Sequence, residues 1–179
     1  LTAREVVNHM EMRDLARIIA VLGEDHRARA VAAAIVRARE AGPIETTAQL
    51  AAIVERAIGR ATDTIHPATR TFQALRIFVN RELDELADAL AASERVLAEG
   101  GRLVVVAYQS LEDRIVKREL QTRSRSSAPA GLPVELPEHQ PQLKLLIRGA
   151  ELADDDEKAA NPRATPVRLR AAERVRRGS

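Results

Sequence analysis

A run of apolar residues that follows a pair of glycines constrains the fold more than any other stretch. Residues 102–108, RLVVVAY, come directly after Gly100 and Gly101 and contain three consecutive β-branched valines. Apolar side chains on both faces of a strand are typical of a strand buried inside an α/β sheet. We therefore predict an α/β domain with this strand in its interior.

The elements after this strand predict the end of a larger sheet. Ser110 and Asp113 form an S-x-x-D capping pattern, which predicts a helix from Ser110 to about Leu120. Residues 143–148 and 167–175 are predicted strands, separated by an acidic and then turn-rich loop. Three strands make a poor sheet by themselves, so we expect the closing half of a doubly wound sheet whose other strands lie before Leu1.

The first part of the chain carries helical signals instead. T-x-x-E and T-x-x-Q capping boxes begin at Thr2 and Thr46, and apolar residues recur at helical spacing. These patterns predict three short amphipathic helices, the first of which ends near Gly23. The predicted domains are a helical module at residues 1–65 and a second region at residues 66–179.

Composition excludes several kinds of site. The 179 residues contain no cysteine, which excludes disulfides, thiolate catalysis and cysteine-ligated metals. The four histidines are far apart, so we expect no metal. No apolar run approaches the roughly 20 residues that span a bilayer, and no signal-peptide pattern opens the chain. We expect a cytoplasmic protein that has no membrane partner.

Motifs that bind a cofactor are missing from the sequence. It contains no G-x-x-x-x-G-K-[ST] loop, no H-E-x-x-H pair and no glycine-rich turn after a first strand. Gly100 and Gly101 precede their strand, which is the wrong side for a dinucleotide-type turn. Because the chain also begins at Leu1 rather than Met, we expect a fragment or a processed product.

A long helix, predicted from Pro67 to about Ala98 with a break near Asn80, carries the first group of candidate binding residues. Phe72 is predicted to pack in the core, because a long helix needs an apolar face. On the other side, arginines stand beside threonine and glutamine, and such side chains suit phosphate and base-edge contacts. Surface ion pairs of the arginines with Glu82 or Asp84 are an equally good explanation. The candidates on this helix are Arg70, Thr71, Gln73 and Arg76.

The second group follows the strand, at the edge of a sheet where ligands bind. Tyr108 is suited to stack on a base or to hydrogen-bond with it. Ser110 is equally well explained as the cap of the next helix. The candidates here are Tyr108, Gln109, Ser110 and Arg114.

Basic residues cluster in two places, although the net charge is only +2. Such clusters suit a phosphate-binding face, and a solvated surface explains them equally well. One cluster contains Arg114, Lys117, Arg118, Arg123 and Arg125, and the other contains Arg163, Arg168, Arg170, Arg174, Arg176 and Arg177.

Four stretches, in this order and spacing, resemble the C-terminal half of the RsmH (MraW) family of 16S ribosomal RNA methyltransferases. They are HPATRTFQALRIFVNREL, GGRLVVVAYQSLEDRIVKREL, PAGLPVELP and NPRATPVRLRAAERV. The resemblance implies a Rossmann-type methyltransferase sheet with an inserted, all-helical substrate-recognition module. Residues 1–65 would be most of the insert, and residues 66–179 would be the C-terminal part of the catalytic domain.

The resemblance also implies an activity and its partners. The family uses S-adenosylmethionine to methylate N4 of a cytosine in the decoding centre, so the expected partner is 16S rRNA or the small ribosomal subunit. Tyr108 would stack on the base, Gln73 and Gln109 would hydrogen-bond through their amides, and the arginines would contact phosphate.

Two departures from the family pattern limit what the resemblance implies. The cofactor motifs lie upstream in the family and are absent here, so we expect this chain alone to be inactive. Where many members have S-F-H-S, this chain has A-Y-Q-S at residues 107–110. Gln109 does not titrate, so no catalytic base is identified. The alternative is a non-catalytic RNA-binding or ribosome-assembly module.

Overall fold

The chain forms two compact units, Leu1–Glu82 and Leu83–Ser179. The computed structural model describes residues 1–59, 66–129 and 136–176. The predicted domain boundary after residue 65 lies outside the described residues and stays a prediction. None of the helices within the described ranges is long and apolar enough to cross a membrane.

Unit 1 is built entirely of helices within its described residues. The helices are α1 (Ala3–His9), α2 (Met12–Leu22), α3 (Ala28–Glu40), α4 (Thr47–Ile58) and α5 (Thr69–Asn80). Both predicted capping boxes are confirmed: the Glu5 N–H donates to Thr2 Oγ1 at 3.2 Å, and the Gln49 N–H donates to Thr46 Oγ1 at 3.2 Å. The single helix predicted to run on to Gly23 is wrong. The chain is extended at Met10 and Glu11, and a new helix starts at Met12.

Helix α5 packs within this unit. Ala74 and Leu75 are buried with residues of α2 and α3, including Ile19 and Val31. Gly23 permits the close approach of α2 to α5, since a Cβ there would lie 2.5 Å from the Arg70 carbonyl oxygen. A helix that the sequence assigns to the second region therefore belongs to the first compact unit.

The predicted break in the long helix is confirmed. Arg81 adopts a left-handed conformation with φ of 54° and ends α5. A new helix, α6, then runs over Glu82–Val96. The division between the two compact units falls at this same point.

Within its described residues, unit 2 is a three-stranded antiparallel sheet with helices. Its elements are β1 (Arg102–Ala107), α7 (Ser110–Arg123), β2 (Leu143–Leu145), the short α8 (Asp155–Ala160) and β3 (Arg168–Arg174). The strand order is β1-β3-β2. Because β3 is antiparallel to both neighbours, β1 and β2 run in the same direction. The α/β class is confirmed, while the Rossmann-type arrangement of a whole sheet stays a prediction.

Within the described residues, the sheet buries one face. Leu90 of α6 and Val116 of α7 pack against Leu143 of β2 and Ala172 of β3. The side chains of β1 that point to the other face remain accessible, with Val104 56% and Val106 46% exposed. The prediction that β1 is buried on both faces is therefore wrong for this chain, because the helices of this unit pack against one face.

An ion pair between Arg170 and Asp113 ties β3 to α7. The Arg170 Nε and Nη2 atoms donate to the two Asp113 carboxylate oxygens at 2.7 and 2.9 Å. Arg170 Nη1 also donates to the Gly149 carbonyl oxygen at 2.7 Å. Both charged side chains are largely buried. The hydrogen bonds from Arg170 hold the pKa of Asp113 below its ordinary value, against the effect of burial.

Replacing Asp113 with asparagine tests this pair. We expect Asp113→Asn to lower the free energy of unfolding by about 2 kcal/mol at neutral pH, since hydrogen bonds between charged groups are lost. The pKa of Asp113 is lowered in the folded state, so its contribution is fully present above the ordinary pKa of 3.8. The contribution is lost as the pH falls further through the folded-state pKa. Urea unfolding of both proteins across this range measures the difference.

Asp155→Asn is the matched control. Asp155 pairs with Lys158 at 3.1 Å, but its side chain is fully exposed. Exposed pairs contribute little, so this variant is expected to unfold like the unchanged chain. A difference between the Asp113 variant and the unchanged chain that does not depend on pH would contradict the assignment.

Candidate functional site at the end of strand β1

A cavity lies where β1 ends and α7 begins. Tyr108, which follows β1, is 60% exposed and lines a cavity of about 280 Å³. The position agrees with the rule that ligands of α/β sheets bind at the carboxyl ends of strands. The other lining residues that the structure describes are Val106, Glu151, Leu152, Ala153, Glu157, Asn161, Ala164, Val167 and Leu169.

Strand β3 positions the far wall of this cavity. Glu151 forms an isolated bridge with Leu169, in which each backbone N–H donates to the other residue's carbonyl at 2.9 Å. Asn161 begins a short 3-10 turn at Pro162–Ala164, and its Oδ1 accepts the Arg163 N–H at 3.2 Å. The Asn161 Nδ2 group is a donor on the same side chain.

The chemistry of the lining suits a planar ligand that carries an amine. Tyr108 offers an aromatic face, and aromatic faces stack on nucleobases. Glu151 and Glu157 offer carboxylate oxygens, which accept hydrogen bonds. The cavity therefore combines a stacking surface with acceptors for an exocyclic amine and a donor for a ring acceptor.

The start of α7 differs from the prediction. Gln109, and not Ser110, is the N-cap residue. The Glu112 carboxylate accepts the N–H groups of Tyr108 and Gln109 at 3.2 and 3.3 Å. The S-x-x-D pattern of Ser110 and Asp113 is wrong by one residue, because Asp113 pairs with Arg170. Ser110 is the exposed first residue of the helix.

Arg114 lies one turn further along α7. Its exposed side chain lines a second cavity, which runs along the helix, and does not line the cavity beside Tyr108. Of the four candidates after β1, Gln109 and Ser110 line neither of these two cavities. Tyr108 faces the first cavity and Arg114 faces the second.

The candidates on α5 lie in unit 1 and divide into exposed and buried side chains. Arg70 and Arg76 are exposed, Gln73 is half-buried and Thr71 is fully buried. The Thr71 Oγ1 atom has no hydrogen-bond partner among the described residues. A contact of Thr71 with RNA would need this side chain to become exposed.

The other three candidates on α5 make contacts with residues of unit 1 outside this helix. Arg76 pairs with Glu82 at 2.9 Å, which is the surface ion pair that the sequence left open as an alternative. Arg70 donates to the Glu24 carbonyl at 2.6 Å, and Gln73 donates to the Leu22 carbonyl at 3.1 Å. Their roles in RNA binding stay predictions.

Three arginines of the C-terminal cluster make contacts within the fold. Arg170 holds Asp113, and Arg174 is only 6% exposed. Arg176 donates to the Gln140 carbonyl at 2.8 Å. These three arginines are engaged by other parts of the unit, whereas Arg163 is exposed, and phosphate binding by the cluster stays a prediction. Arg177 lies outside the described residues.

Three lining residues were missed by sequence reasoning: Glu151, Glu157 and Asn161. They lie in or beside the segment DDDEKAANPRATP, for which the sequence predicts an acidic and then turn-rich loop. The available signal was that this loop immediately precedes a strand. Among the residues that the structure describes, no group of three or more His, Asp or Glu side chains is placed to hold a metal ion.

Comparisons with known proteins define the class to which this fold and site belong. Residues 1–175 match the model of the MraW methylase family. The chain therefore belongs to the MraW methylase family, which confirms the resemblance found in the four sequence stretches.

Several similar curated proteins are named Ribosomal RNA small subunit methyltransferase H. The protein of Leifsonia xyli subsp. xyli is 64% identical over 177 residues, which are 98% of this chain and 54% of the relative. That of Clavibacter michiganensis subsp. michiganensis is 59% identical, over 99% of this chain and 56% of the relative. That of Rhodococcus jostii is 51% identical, over 100% and 54%. The chain spans about half the length of these relatives.

Replacing Glu112 tests the cap that holds the turn after β1. We expect Glu112→Ala to lower the free energy of unfolding by about 1 kcal/mol, because two N–H groups lose their acceptor. Glu112→Gln keeps an acceptor oxygen and is expected to lose less than half of that. The measurement is urea unfolding followed by circular dichroism.

Glu119→Ala provides the matched control on the same helix. Its carboxylate lies 3.8 Å from the exposed Arg118 guanidinium, and such a contact contributes little. If Glu112→Ala and Glu119→Ala unfold alike, the capping assignment is wrong.

Proposed function

We propose that this chain is the C-terminal portion of an S-adenosylmethionine-dependent methyltransferase that acts on N4 of a decoding-centre cytosine in 16S rRNA. Its membership of the MraW methylase family and the names of its relatives support the reaction class. The observation that carries the proposal to this chain is the cavity beside Tyr108 at the end of β1.

The cavity suits the target base. The exocyclic amine of cytosine is a weak nucleophile, because its lone pair is delocalised into the ring. An enzyme that modifies it must take the base out of its stack and fix its orientation. Tyr108 stacks on the base, a carboxylate of Glu151 or Glu157 accepts a hydrogen bond from the amine, and the Asn161 amide donates to the ring.

Positioning is the contribution that these residues make. Gln109 does not titrate, so the A-Y-Q-S segment supplies no proton acceptor at that position. Orientation of the amine by hydrogen-bond acceptors therefore matters more here than removal of its proton by a strong base.

The described residues do not fit the cofactor, which supplies the methyl group when bound. The turn after β1 contains Tyr108 and Gln109 in place of glycines, and the Glu112 carboxylate occupies its N–H groups. A cofactor site of the sheet type needs a glycine-rich turn that lets the backbone approach the ligand. We propose that this site lies in the part of the longer protein that precedes these residues.

The exposed side of the sheet supports a longer protein. Val104 and Val106 are apolar and accessible, and β1 is an edge strand among the described residues. Apolar faces and free strand edges are usually covered in native proteins. In the proposed longer protein, further strands extend the sheet from β1 and further helices cover Val104, whereas Val106 lines the cavity beside Tyr108.

Residues 1–65, which fall in unit 1, are proposed to be most of the substrate-recognition module. The α5 helix of the same unit presents Arg70 and Arg76 on the surface, where arginines suit phosphate contacts. The Arg76–Glu82 pair is exposed, so it is weak enough to exchange for a phosphate.

The second candidate function is a non-catalytic RNA-binding or ribosome-assembly module. The observation that favours it is the turn after β1, where Glu112 occupies the N–H groups and glycines are absent. An assay of the longer protein with 16S rRNA and S-adenosylmethionine separates the two functions. The enzyme forms N4-methylcytidine, which mass spectrometry of the digested RNA detects, whereas the assembly module binds the RNA and leaves it unmodified.

Tyr108 offers a direct readout of the proposed cavity, because the chain has one tyrosine and no tryptophan. We expect decoding-centre RNA to quench the tyrosine emission of this chain through stacking. Stacking of one base is worth roughly 1–3 kcal/mol. Tyr108→Ala in the longer protein is therefore expected to lower methylation roughly 5- to 100-fold, and Tyr108→Phe to retain most of it.

Anisotropy of a labelled RNA provides the control for binding. Full RNA binding without any change in tyrosine emission would remove Tyr108 from the site. Equal methylation by the alanine variant and the unchanged protein would have the same consequence.

A further inference from the structure

A groove on α7 has a composition that the site beside Tyr108 does not explain. Its volume is about 730 Å³, which is larger than the cavity beside Tyr108. The described residues that line it are Leu83, Leu111, Arg114, Ile115, Lys117, Arg118, Gln121, Thr122, Arg125, Ser126 and Ser127, here called the α7 groove.

The α7 groove is strongly cationic. Four of its described lining residues carry a positive charge, namely Arg114, Lys117, Arg118 and Arg125. No described lining residue is acidic. Residues 114, 117, 118 and 121 share one side of the helix, because residues three and four apart are neighbours. The adjacent carboxylate of Asp113 is engaged by Arg170 on the side that faces the sheet.

The carboxylate of Glu119 contacts a cation of the groove without lining it. Glu119 approaches Arg118 at 3.8 Å, and the Arg118 side chain is 72% exposed. An exposed contact of this length is weak and is screened by salt, so the groove keeps its positive character.

The neutral part of the groove suits a sugar–phosphate chain. Its floor is apolar, with Leu83, Leu111 and Ile115, and its rim carries hydroxyl and amide groups. The described lining includes no aromatic side chain, so the groove has no stacking platform for bases. Arginine, lysine, serine, threonine and glutamine are the side chains that commonly contact phosphate and sugar.

The rim is held in place by contacts with a neighbouring turn. The Ser127 N–H donates to the His139 carbonyl at 2.9 Å, and Ser127 Oγ lies 3.0 Å from His139 Nδ1. Ser126 Oγ accepts the Ala128 N–H at 3.1 Å. The groove is therefore bounded by a defined loop.

Its position relates the groove to the target nucleotide. Leu111 lies at one end of the groove and comes three residues after Tyr108, which lines the first cavity. From Leu111 to Thr122 the helix extends about 17 Å. Val106 and Leu169 line the cavity beside Tyr108 from the sheet face that points away from α7. An RNA strand that places one base beside Tyr108 would therefore pass around the start of α7 to bring its neighbouring nucleotides to the groove.

We propose that the α7 groove binds the phosphate backbone of the RNA strand next to the nucleotide held beside Tyr108. The proposal rests on the proposed function and names the surface that holds the strand. The groove contributes affinity and register, whereas the cavity beside Tyr108 distinguishes the base.

The test compares two double variants of this chain that lose the same charge. Lys117→Gln with Arg118→Gln removes two cations from the groove. Lys144→Gln with Arg148→Gln removes a lysine and an arginine that are exposed in the same unit and do not line the groove. Binding of a labelled single-stranded RNA is measured by anisotropy at several salt concentrations, and circular dichroism verifies that each variant is folded.

The groove variant is expected to bind several-fold more weakly than the control variant at low salt. The slope of log K against log salt concentration is expected to become shallower by about 1.4 in the groove variant. Each phosphate contact with a single strand contributes about 0.7 to this slope, and two cations are removed. The control variant is expected to keep nearly the full slope. Polyglutamate of similar charge is expected to compete poorly with RNA.

Three other outcomes would overturn the proposal, and they distinguish its failure from a failure of the proposed function. Retained RNA binding with the same slope in both variants would show that the groove does not hold the strand, and would leave the proposed function intact. Absence of RNA binding by the unchanged chain would count against the proposed RNA contacts of this portion as well. Displacement of RNA by polyglutamate at equal charge would assign the groove to an acidic protein segment.

Discussion

Strand β3 is the element on which the second unit depends. It pairs with both other strands of the described sheet, and its Arg170 joins the sheet to α7 through Asp113. The same strand holds Glu151 on the wall of the cavity beside Tyr108, through the backbone bridge between Glu151 and Leu169. Because α7 is fixed on one side by this ion pair, its opposite side is left to form the α7 groove. Strand β3 thus connects to both features that we assign to RNA, through the Leu169 backbone in one case and the Arg170 side chain in the other.

The parts of the fold that the sequence predicted are those with local causes. The capping boxes at Thr2 and Thr46 and the break after Asn80 each depend on a few neighbouring residues. Local signals failed where two assignments compete. Gln109 with Glu112 and Ser110 with Asp113 both satisfy a capping pattern, and the ion pair of Asp113 with a distant strand decides between them.

Only the wall of the candidate site that contains Tyr108 could be predicted from the sequence. Tyr108 follows its strand directly, so a strand prediction suffices to place it at the sheet edge. Glu151 and Asn161 reach the same cavity from a loop tens of residues away, which strand pairing brings close, and no periodicity indicates this. The exposed valines of β1 show the converse limit, because an apolar run does not reveal which part of a protein covers it.

The central claim is that one side of α7 holds the RNA strand while the turn after β1 holds the target base. Ultraviolet crosslinking of the longer protein to 16S rRNA, followed by mass spectrometry of the joined peptides, tests it most directly. The account predicts that the target cytidine crosslinks within residues 108–110 or 151–161, and that flanking nucleotides crosslink within residues 114–127. Crosslinks of the target cytidine confined to unit 1, with none in these segments, would contradict it.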